Sequence, residues 1–364
     1  MEPNAQRELS AANPEWSVRE LMACLASALK YQGPALSLGQ SQFKLVDGDI
    51  SLVVATTGST GIAKEVGLTA AALIASAQAS NKYLGATVGD SWSLLLPTTH
   101  VAGINVLIRC LELKTEAVDL RKHQGEYPRV DFTSIVPTHL FRALNGDTHL
   151  LKHLVDAKAV LVGGAALPDA LKQKAAAAGI NIVTTYGMTE TSGGCVYNGQ
   201  ALDGVEVKIM EDNRIAISGP VLAKSYLNDE SLWNEQMQDG WFLTSDFGRI
   251  EDGKLIVEGR VDDVLIVGGV NLSIAAIERF VQNRYPALTF AAFGVKSAQW
   301  GDSLHLAIAG DVLADEKKIT EFLIEGFGPE AKPRGFLSIP ELPLIGIGKV
   351  DRKKLAQLQQ EASH

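Results

Sequence analysis

Residues 50–64 read ISLVVATTGSTGIAK, and this stretch decides the fold. Its first six residues are apolar and partly β-branched, as a short buried strand requires, and they run straight into a turn of glycines and hydroxyls. Thr69–Leu84 follows as a helix, with Thr69 as N-cap before an alanine-rich stretch. The alternation extends outward in both directions. Ser17–Tyr31 carries apolar residues at helical spacing; residues 92–97 (WSLLLP) read as a strand and 103–112 as a helix. Residues 132–137 (FTSIVP), 159–164 (AVLVGG) and 181–187 (NIVTTYG) are further strands, alternating with helices over 138–144 and 168–179. Alternating β and α units predict a parallel sheet with helices on its faces, and ligands then bind beyond the carboxyl ends of the strands. The loops after Ala55, Pro97, Pro137, Gly163 and Thr185 are therefore the places to look.

From Val205 the texture changes to short alternating strands (205–209, 214–219, 241–250, 254–259), which suggest a small antiparallel β unit. After Gly259 come strands over 265–269, 289–295 and 304–310 and helices over 274–285 and 316–327, a compact α+β tail. The expected architecture is an α/β protein with a large domain, 1–259, and a small C-terminal α+β domain, 260–364.

Composition sets the bounds. A chain of 364 residues with 46% hydrophobic and 21% charged residues is an ordinary globular protein, neither disordered nor collagen-like. A net charge of −9 disfavours non-specific binding to nucleic acid or anionic lipid. The first residues, MEPNAQRELSAANPEW, lack the basic and apolar regions of a secretory signal, and no apolar run is long enough for a membrane helix. Cys24, Cys110 and Cys195 make no disulfide framework, so a reduced, cytoplasmic setting is expected. His149 and His153 stand at metal-ligand spacing, but an exposed polar helix face accounts for them better.

Five stretches carry chemistry, each with a plainer alternative. Residues 56–64 (Thr56, Thr57, Gly58, Ser59, Thr60, Gly61 and Lys64 among them) offer backbone N–H groups, hydroxyls and an ammonium to a polyphosphate, or form an ordinary strand-to-helix turn. Tyr186-Gly187-Met188-Thr189-Glu190-Thr191 puts a carboxylate after a strand, for Mg²⁺ on a nucleotide or for a helix cap. Asp246, ending 240–246 (GWFLTSD), could accept from both hydroxyls of a ribose or sit in a turn. Residues 259–263 (GRVDD), with Gly268 and Gly269 after them, suit a hinge or a solvated turn. Lys349, in 346–352 (GIGKVDR), could reach into a cleft or decorate the surface.

In this order and spacing the motifs resemble those of the adenylate-forming superfamily of acyl-CoA synthetases, non-ribosomal peptide adenylation domains and luciferases. Residues 162–168 (VGGAALP) look like its adenine-side loop. Within it, residues 97–109 (PTTHVAGINVLIR), 134–140 (SIVPTHL) and 189–207 (TETSGGCVYNGQALDGVEV) look most like o-succinylbenzoate–CoA ligases of menaquinone biosynthesis, of the short actinobacterial type. The resemblance implies ATP, Mg²⁺ and coenzyme A, and a shortened N-terminal portion. It implies Lys349, Glu190 and His100 in catalysis, with Glu190 and Thr60 on the metal. It places Thr56–Gly61 and Lys64 around the phosphates, Gly164, Ala165, Tyr186, Gly187 and Thr189 beside the nucleotide, and Asp246 and Arg260 on the ribose. It makes Asp262 a hinge, His100, Arg109, Thr138 and Gly187 the acyl site, and Gly268 and Gly269 the channel for coenzyme A.

Arg109 sits in an apolar segment (INVLIRC, residues 104–110), where an unpaired charge is costly, and it would recognise a second carboxylate. Three positions depart from the family pattern: Ala63 for Pro, Ser245 for Gly, and Asn271 for Arg. Other acyl- or aryl-CoA ligases, carrier-loading adenylation enzymes and a non-catalytic acyl-adenylate binder remain as rivals. The expected partners are a small carboxylate, ATP and coenzyme A, with no nucleic acid and no membrane insertion; a homodimer is left open.

Overall fold

The computed structural model describes residues 5–56, 63–286, 288–297, 301–310, 315–345 and 349–362. Two compact units divide the chain. The described residues of 1–167, 172–244 and 250–256 form one, and those of 168–171, 245–249 and 257–364 the other.

Local chemistry sets the helices of the larger unit. Helix Val18–Leu29 starts at a capping box, in which Ser17 Oγ accepts from the Glu20 N–H (3.3 Å) and Glu20 Oε2 from the Ser17 N–H (2.8 Å). Its buried stripe, Val18, Leu21, Met22, Leu25, Ala28 and Leu29, follows the helical period. At its far end Arg7 donates to the carbonyls of Ala28 (2.9 Å) and Gly33 (2.8 Å), so a cation meets the negative end of the helix dipole. Helix Ala70–Leu84 is capped by Thr69, whose Oγ1 accepts from the Ala72 N–H at 3.1 Å, and stops at Gly85, φ 64°.

Two sheets carry these helices. In the first, the strand order is Ser225–Tyr226, Lys64–Thr69, Ile50–Thr56, Ala35–Ser37, Gln6–Ala11, Leu45–Asp47. Here the structure departs from the expectation that the glycine-rich turn leads directly to a helix. Lys64–Thr69 is itself a strand, antiparallel to Ile50–Thr56, so the turn closes a hairpin. Gly67 blurs its alternation; a Cβ there would lie 2.8 Å from Ile50 Cδ1.

The second sheet runs Gln200–Ala201, Gly193–Tyr197, Ile182–Met188, Ala159–Val162, Phe132–Ile135, Trp92–Leu94, Val118–Asp119. Its strands from Ile182–Met188 onward are parallel, as the alternating pattern requires. Leu52, Leu68, Leu73, Trp92, Leu94, Ile104 and Phe132 are buried in one apolar cluster of this unit. His149 is exposed as expected, but His153 is not: it is 3% exposed. Its Nε2 lies 2.9 Å from Ser93 Oγ and its Nδ1 3.0 Å from the Pro128 carbonyl. Spacing alone could not show that helix Thr148–Asp156 turns this side toward the sheet. Among the described residues no cluster of three or more His, Cys, Asp or Glu could hold a metal ion.

A further antiparallel sheet is built from Glu206–Ile209, Arg214–Ser218, Trp241–Glu251 and Met237–Gln238, with Lys254–Arg260 paired to Trp241–Glu251. The second unit has its own sheet, Val270–Ser273, Val264–Val267, Gly301–Ala309, Thr289–Ser297, to which Gly335–Ile339 adds in parallel. Helices Ile274–Arg284 and Glu316–Phe327 bury Ile277, Val281, Ile319 and Leu323 with its Leu304 and Leu306. Leu355, from helix Arg352–Ala362, packs with Phe293 and Ala307 in a second cluster. All three cysteines are free thiols. No helix of the described residues is long and apolar enough to cross a membrane.

Candidate active site

Thr56 and Lys64 face each other where the first hairpin opens, and Thr56 Oγ1 reaches the Lys64 carbonyl at 3.5 Å. Thr57, Gly58, Ser59, Thr60 and Gly61 lie outside the described residues. The exit of this loop is clamped by one side chain that sequence reading missed. Asn228 Oδ1 accepts from the Glu65 N–H (2.9 Å), and Asn228 Nδ2 donates to the Ala63 carbonyl (2.7 Å). The adjoining strand Ser225–Tyr226 pairs with Val66 and Gly67, which sets Tyr226 beneath Lys64; Nζ stands 4.8 Å from the ring centroid.

Tyr226 joins this hairpin to the second motif. Its hydroxyl lies 2.7 Å from Glu190 Oε1 and 2.8 Å from Gln236 Oε1. Burial, then the Glu190 charge, raise the phenol well above its ordinary pKa, so it stays protonated and donates. One proton cannot serve two acceptors; with the Glu190 carboxylate taking it, Gln236 meets the hydroxyl through an amide N–H, the reverse orientation of its amide.

Glu190 sits in the 3₁₀ turn Thr189–Thr191 after strand Ile182–Met188. That turn is wedged in place from three sides. The Ser192 carbonyl accepts from Asn105 Nδ2 (2.7 Å) and Ser76 Oγ (3.1 Å), and Ser192 Oγ donates to the Val221 carbonyl (2.8 Å). The pairing with Gly193–Tyr197 shifts register between Tyr186 and Gly187, a bulge at the motif itself. Gly187 is obligatory there, because a Cβ would lie 2.1 Å from the Gly193 carbonyl oxygen. Tyr186 and Thr189 are half-buried, while Gly164 and Ala165, after strand Ala159–Val162, are exposed.

A single half-buried carboxylate with no ion-pair partner among the described residues fits a divalent cation shared with substrate phosphates. Mg²⁺ keeps most of its shell from water and phosphate, so one protein carboxylate is chemistry enough for such a site.

His100 and Arg109 belong to one helix, Val101–Glu112, but to different surroundings. His100 is the half-buried N-cap residue, its Nδ1 3.0 Å from Thr99 Oγ1. Arg109, nine positions and about 13 Å of helix rise further on, is 4% exposed. Its guanidinium lies 5.0 Å from the Trp92 ring centroid, Nη2 donates to Tyr197 Oη (3.1 Å), Nη1 to Ser134 Oγ (3.4 Å), and Nε has no hydrogen bond. Every contact is neutral, and no carboxylate among the described residues pairs with it. Thr138 is exposed in the first turn of helix Pro137–Leu144.

In the second unit Asp246 is buried, with Arg260 Nε 3.7 Å from its Oδ1. Gly268 and Gly269 (φ 58° and 87°) form the two-residue turn joining Val264–Val267 to Val270–Ser273. Positive φ at both central residues marks a type I′ hairpin, which favours glycine. Asp262 lies in the 3₁₀ turn Val261–Asp263, and Lys349 opens strand Lys349–Val350, paired with Ile345. Nearby Arg352 donates to both carboxylate oxygens of Glu278 at 3.0 Å and to the Ala292 carbonyl at 3.0 Å. Sequence reading singled out Glu190, Arg109 and the glycines for site roles. It missed Tyr226, Asn228, Trp92, Ser134 and Tyr197, which acquire meaning only through pairing of distant strands.

The family model for "AMP-binding enzyme" matches residues 6–227. A Mycobacterium tuberculosis protein named "Probable 2-succinylbenzoate–CoA ligase" is 37% identical over 341 residues, covering 89% of this chain and 87% of that one. The Lactococcus lactis 2-succinylbenzoate–CoA ligase is 28% identical, over 85% of this chain and 71% of its own. Among solved structures, E. coli MenE with a bound analogue of OSB-AMS is similar at TM-score 0.69 and 25% identity, over 96% of this chain and 82% of that one. ATP-bound MatB from Rhodopseudomonas palustris shares the fold at TM-score 0.77 and 20% identity, over 97% and 84%. With the hairpin, the Glu190 turn and these relatives in agreement, the chain belongs to the AMP-binding enzyme family.

Proposed function

We propose that the protein is an ATP-dependent 2-succinylbenzoate–CoA ligase of menaquinone biosynthesis, working in the cytoplasm. The observation that carries the substrate assignment is Arg109, a buried guanidinium whose partners are all neutral and whose Nε is unsatisfied. An uncompensated buried cation is costly, and a substrate with a second carboxylate would supply the missing charge. A dicarboxylate such as 2-succinylbenzoate does so; a simple fatty acid does not. The name shared by the curated relatives supports the same substrate.

In the first half-reaction a substrate carboxylate oxygen attacks the α-phosphorus of ATP in line, and the bond to the β-phosphate oxygen breaks to release pyrophosphate. In the second, the coenzyme A thiolate attacks the acyl carbonyl and AMP departs. The protein's part is positioning and charge neutralisation. On this reading residues 56–61 and Lys64 hold the β- and γ-phosphates, with Tyr186, Gly164 and Ala165 beside the adenine. Asp246 and Arg260 take the ribose, and Lys349 bridges carboxylate and α-phosphate. Glu190, with Thr60, would hold Mg²⁺, which neutralises phosphate charge when bound. His100, Thr138 and Gly187 border the acyl group, and movement about Asp262 brings Gly268 and Gly269 to the coenzyme A path.

The test is pyrophosphate release with ATP and a carboxylate panel, followed by thioester formation with coenzyme A or a phosphopantetheinyl carrier. 2-Succinylbenzoate should give the highest kcat/KM, with coenzyme A as acceptor. Arg109→Ala should raise KM for 2-succinylbenzoate by about tenfold or more, ~1.4 kcal/mol, and leave KM for ATP unchanged. Equal effects on both would remove Arg109 from the acyl site.

A further inference from the structure

The segment Tyr226-Leu227-Asn228 belongs to none of the motifs read from the sequence, yet it touches both halves of the phosphate-handling machinery. Tyr226 places its ring under Lys64 and its hydroxyl on Glu190. Asn228 bonds the backbone on either side of Lys64, through the Ala63 carbonyl and the Glu65 N–H, and Leu227 N–H donates to the Glu65 carbonyl at 2.8 Å. Backbone bonds of the preceding residues already join the Glu190 turn to the strand that begins at Lys64, through Ala223 N–H to the Glu190 carbonyl (2.8 Å) and Lys224 N–H to the Gly67 carbonyl (2.8 Å); Tyr226 adds the link between the two side chains themselves.

We infer that Tyr226 and Asn228 are positioning residues that set the Lys64 ammonium and the Glu190 carboxylate in register, so that one nucleotide phosphate chain and its divalent cation meet both at once. This rests on the reading of Glu190 and Lys64 as phosphate-handling groups given above. Two properties follow from the geometry. The hydroxyl of Tyr226 takes one lobe of Glu190 and leaves Oε2 for the cation, so removing it frees the carboxylate to rotate. The ring of Tyr226 and the amide of Asn228 act on Ala63, Lys64 and Glu65 instead, and their effect does not depend on the cation.

Equilibrium binding of ATP, measured by calorimetry with and without MgCl₂, separates these roles without needing turnover. Tyr226→Phe keeps the ring and removes only the hydroxyl. It should leave the Kd for ATP alone unchanged, shrink the Mg²⁺-dependent gain in affinity by roughly tenfold, and raise the Mg²⁺ concentration giving half-maximal rate. Asn228→Ala, at a half-buried position, should weaken ATP binding by about the same factor with and without Mg²⁺. Wild-type Mg²⁺ dependence in a folded Tyr226→Phe protein overturns the inference. So does wild-type ATP affinity in Asn228→Ala, which decides the matter if the tyrosine variant does not fold. Pyrophosphate release by the unaltered enzyme tests the ligase assignment separately: its absence, with these binding effects intact, removes the activity and not the positioning.

Discussion

His153 shows how one buried ring ties local chemistry to pH. It is enclosed between Ser93 and the Pro128 carbonyl, and burial lowers its pKa from 6.5 against the upward pull of the Pro128 bond and of Asp156. As pH falls below about 6.5 the unfolded chain takes the proton before the folded one, so stability is fully present above that value and declines toward the folded pKa. Asp90 and Asp131, where burial is outweighed by the bonds from Lys158 and Thr87 to the first and from Ser91 and Lys158 to the second, have lowered pKa values and lose their contribution only below about 4. Thermal midpoints should therefore fall between pH 7 and 5, and His153→Gln should make that fall shallower; an unchanged slope would show that other groups set it. At this scale the sequence displayed chemistry but not surroundings. Arg109 was legible because a charge inside INVLIRC has few innocent explanations. Tyr226 was not, because SYLND (residues 225–229) carries no pattern of its own, and its pairing with Val66 joins positions far apart in the chain.

Among elements, those with local stop and start signals were readable. The Thr69 cap marks the start of its helix, and the apolar runs of the parallel strands mark themselves. Lys64–Thr69 and Gln6–Ala11 escaped because neither carries an apolar run, and both owe their strand geometry to neighbours. The bulged pair Ile182–Met188 and Gly193–Tyr197 offers the sharpest test of an element's internal constraint. Gly187→Ala drives a Cβ to 2.1 Å from the Gly193 carbonyl oxygen and 2.7 Å from Gly194 Cα, both backbone atoms, with no flexible side chain to yield. It should cost about 2 kcal/mol in urea unfolding and displace Glu190, so that activity falls further than stability alone explains. An alanine variant with wild-type midpoint would mean that the bulge can open.

For the whole molecule, separate apolar cores underlie the two units: the main one around Trp92 and Phe132 in the first, and those around Ile277 and Leu306 and around Phe293 and Leu355 in the second. The change of texture in the sequence is the ground for expecting a second unit, since helices and strands with their own apolar faces need their own core. What no stretch could announce is that residues 168–171 and 245–249 cluster with the second unit, for that depends on the completed fold. At this scale Lys349→Ala should abolish adenylation while the variant still converts pre-formed acyl-adenylate and coenzyme A to thioester. Loss of both half-reactions would mean that Lys349 is not confined to the first.

The sheet order also has a consequence for synthesis. The outer neighbour of Lys64–Thr69 is Ser225–Tyr226, so the hairpin bearing the glycine loop acquires its last strand late. At typical translation speeds the ribosome needs on the order of ten seconds or more to cover that interval. Throughout it, a nascent chain already able to build most of its first sheet presents a bare row of peptide groups at one border. Such a border invites pairing with another copy.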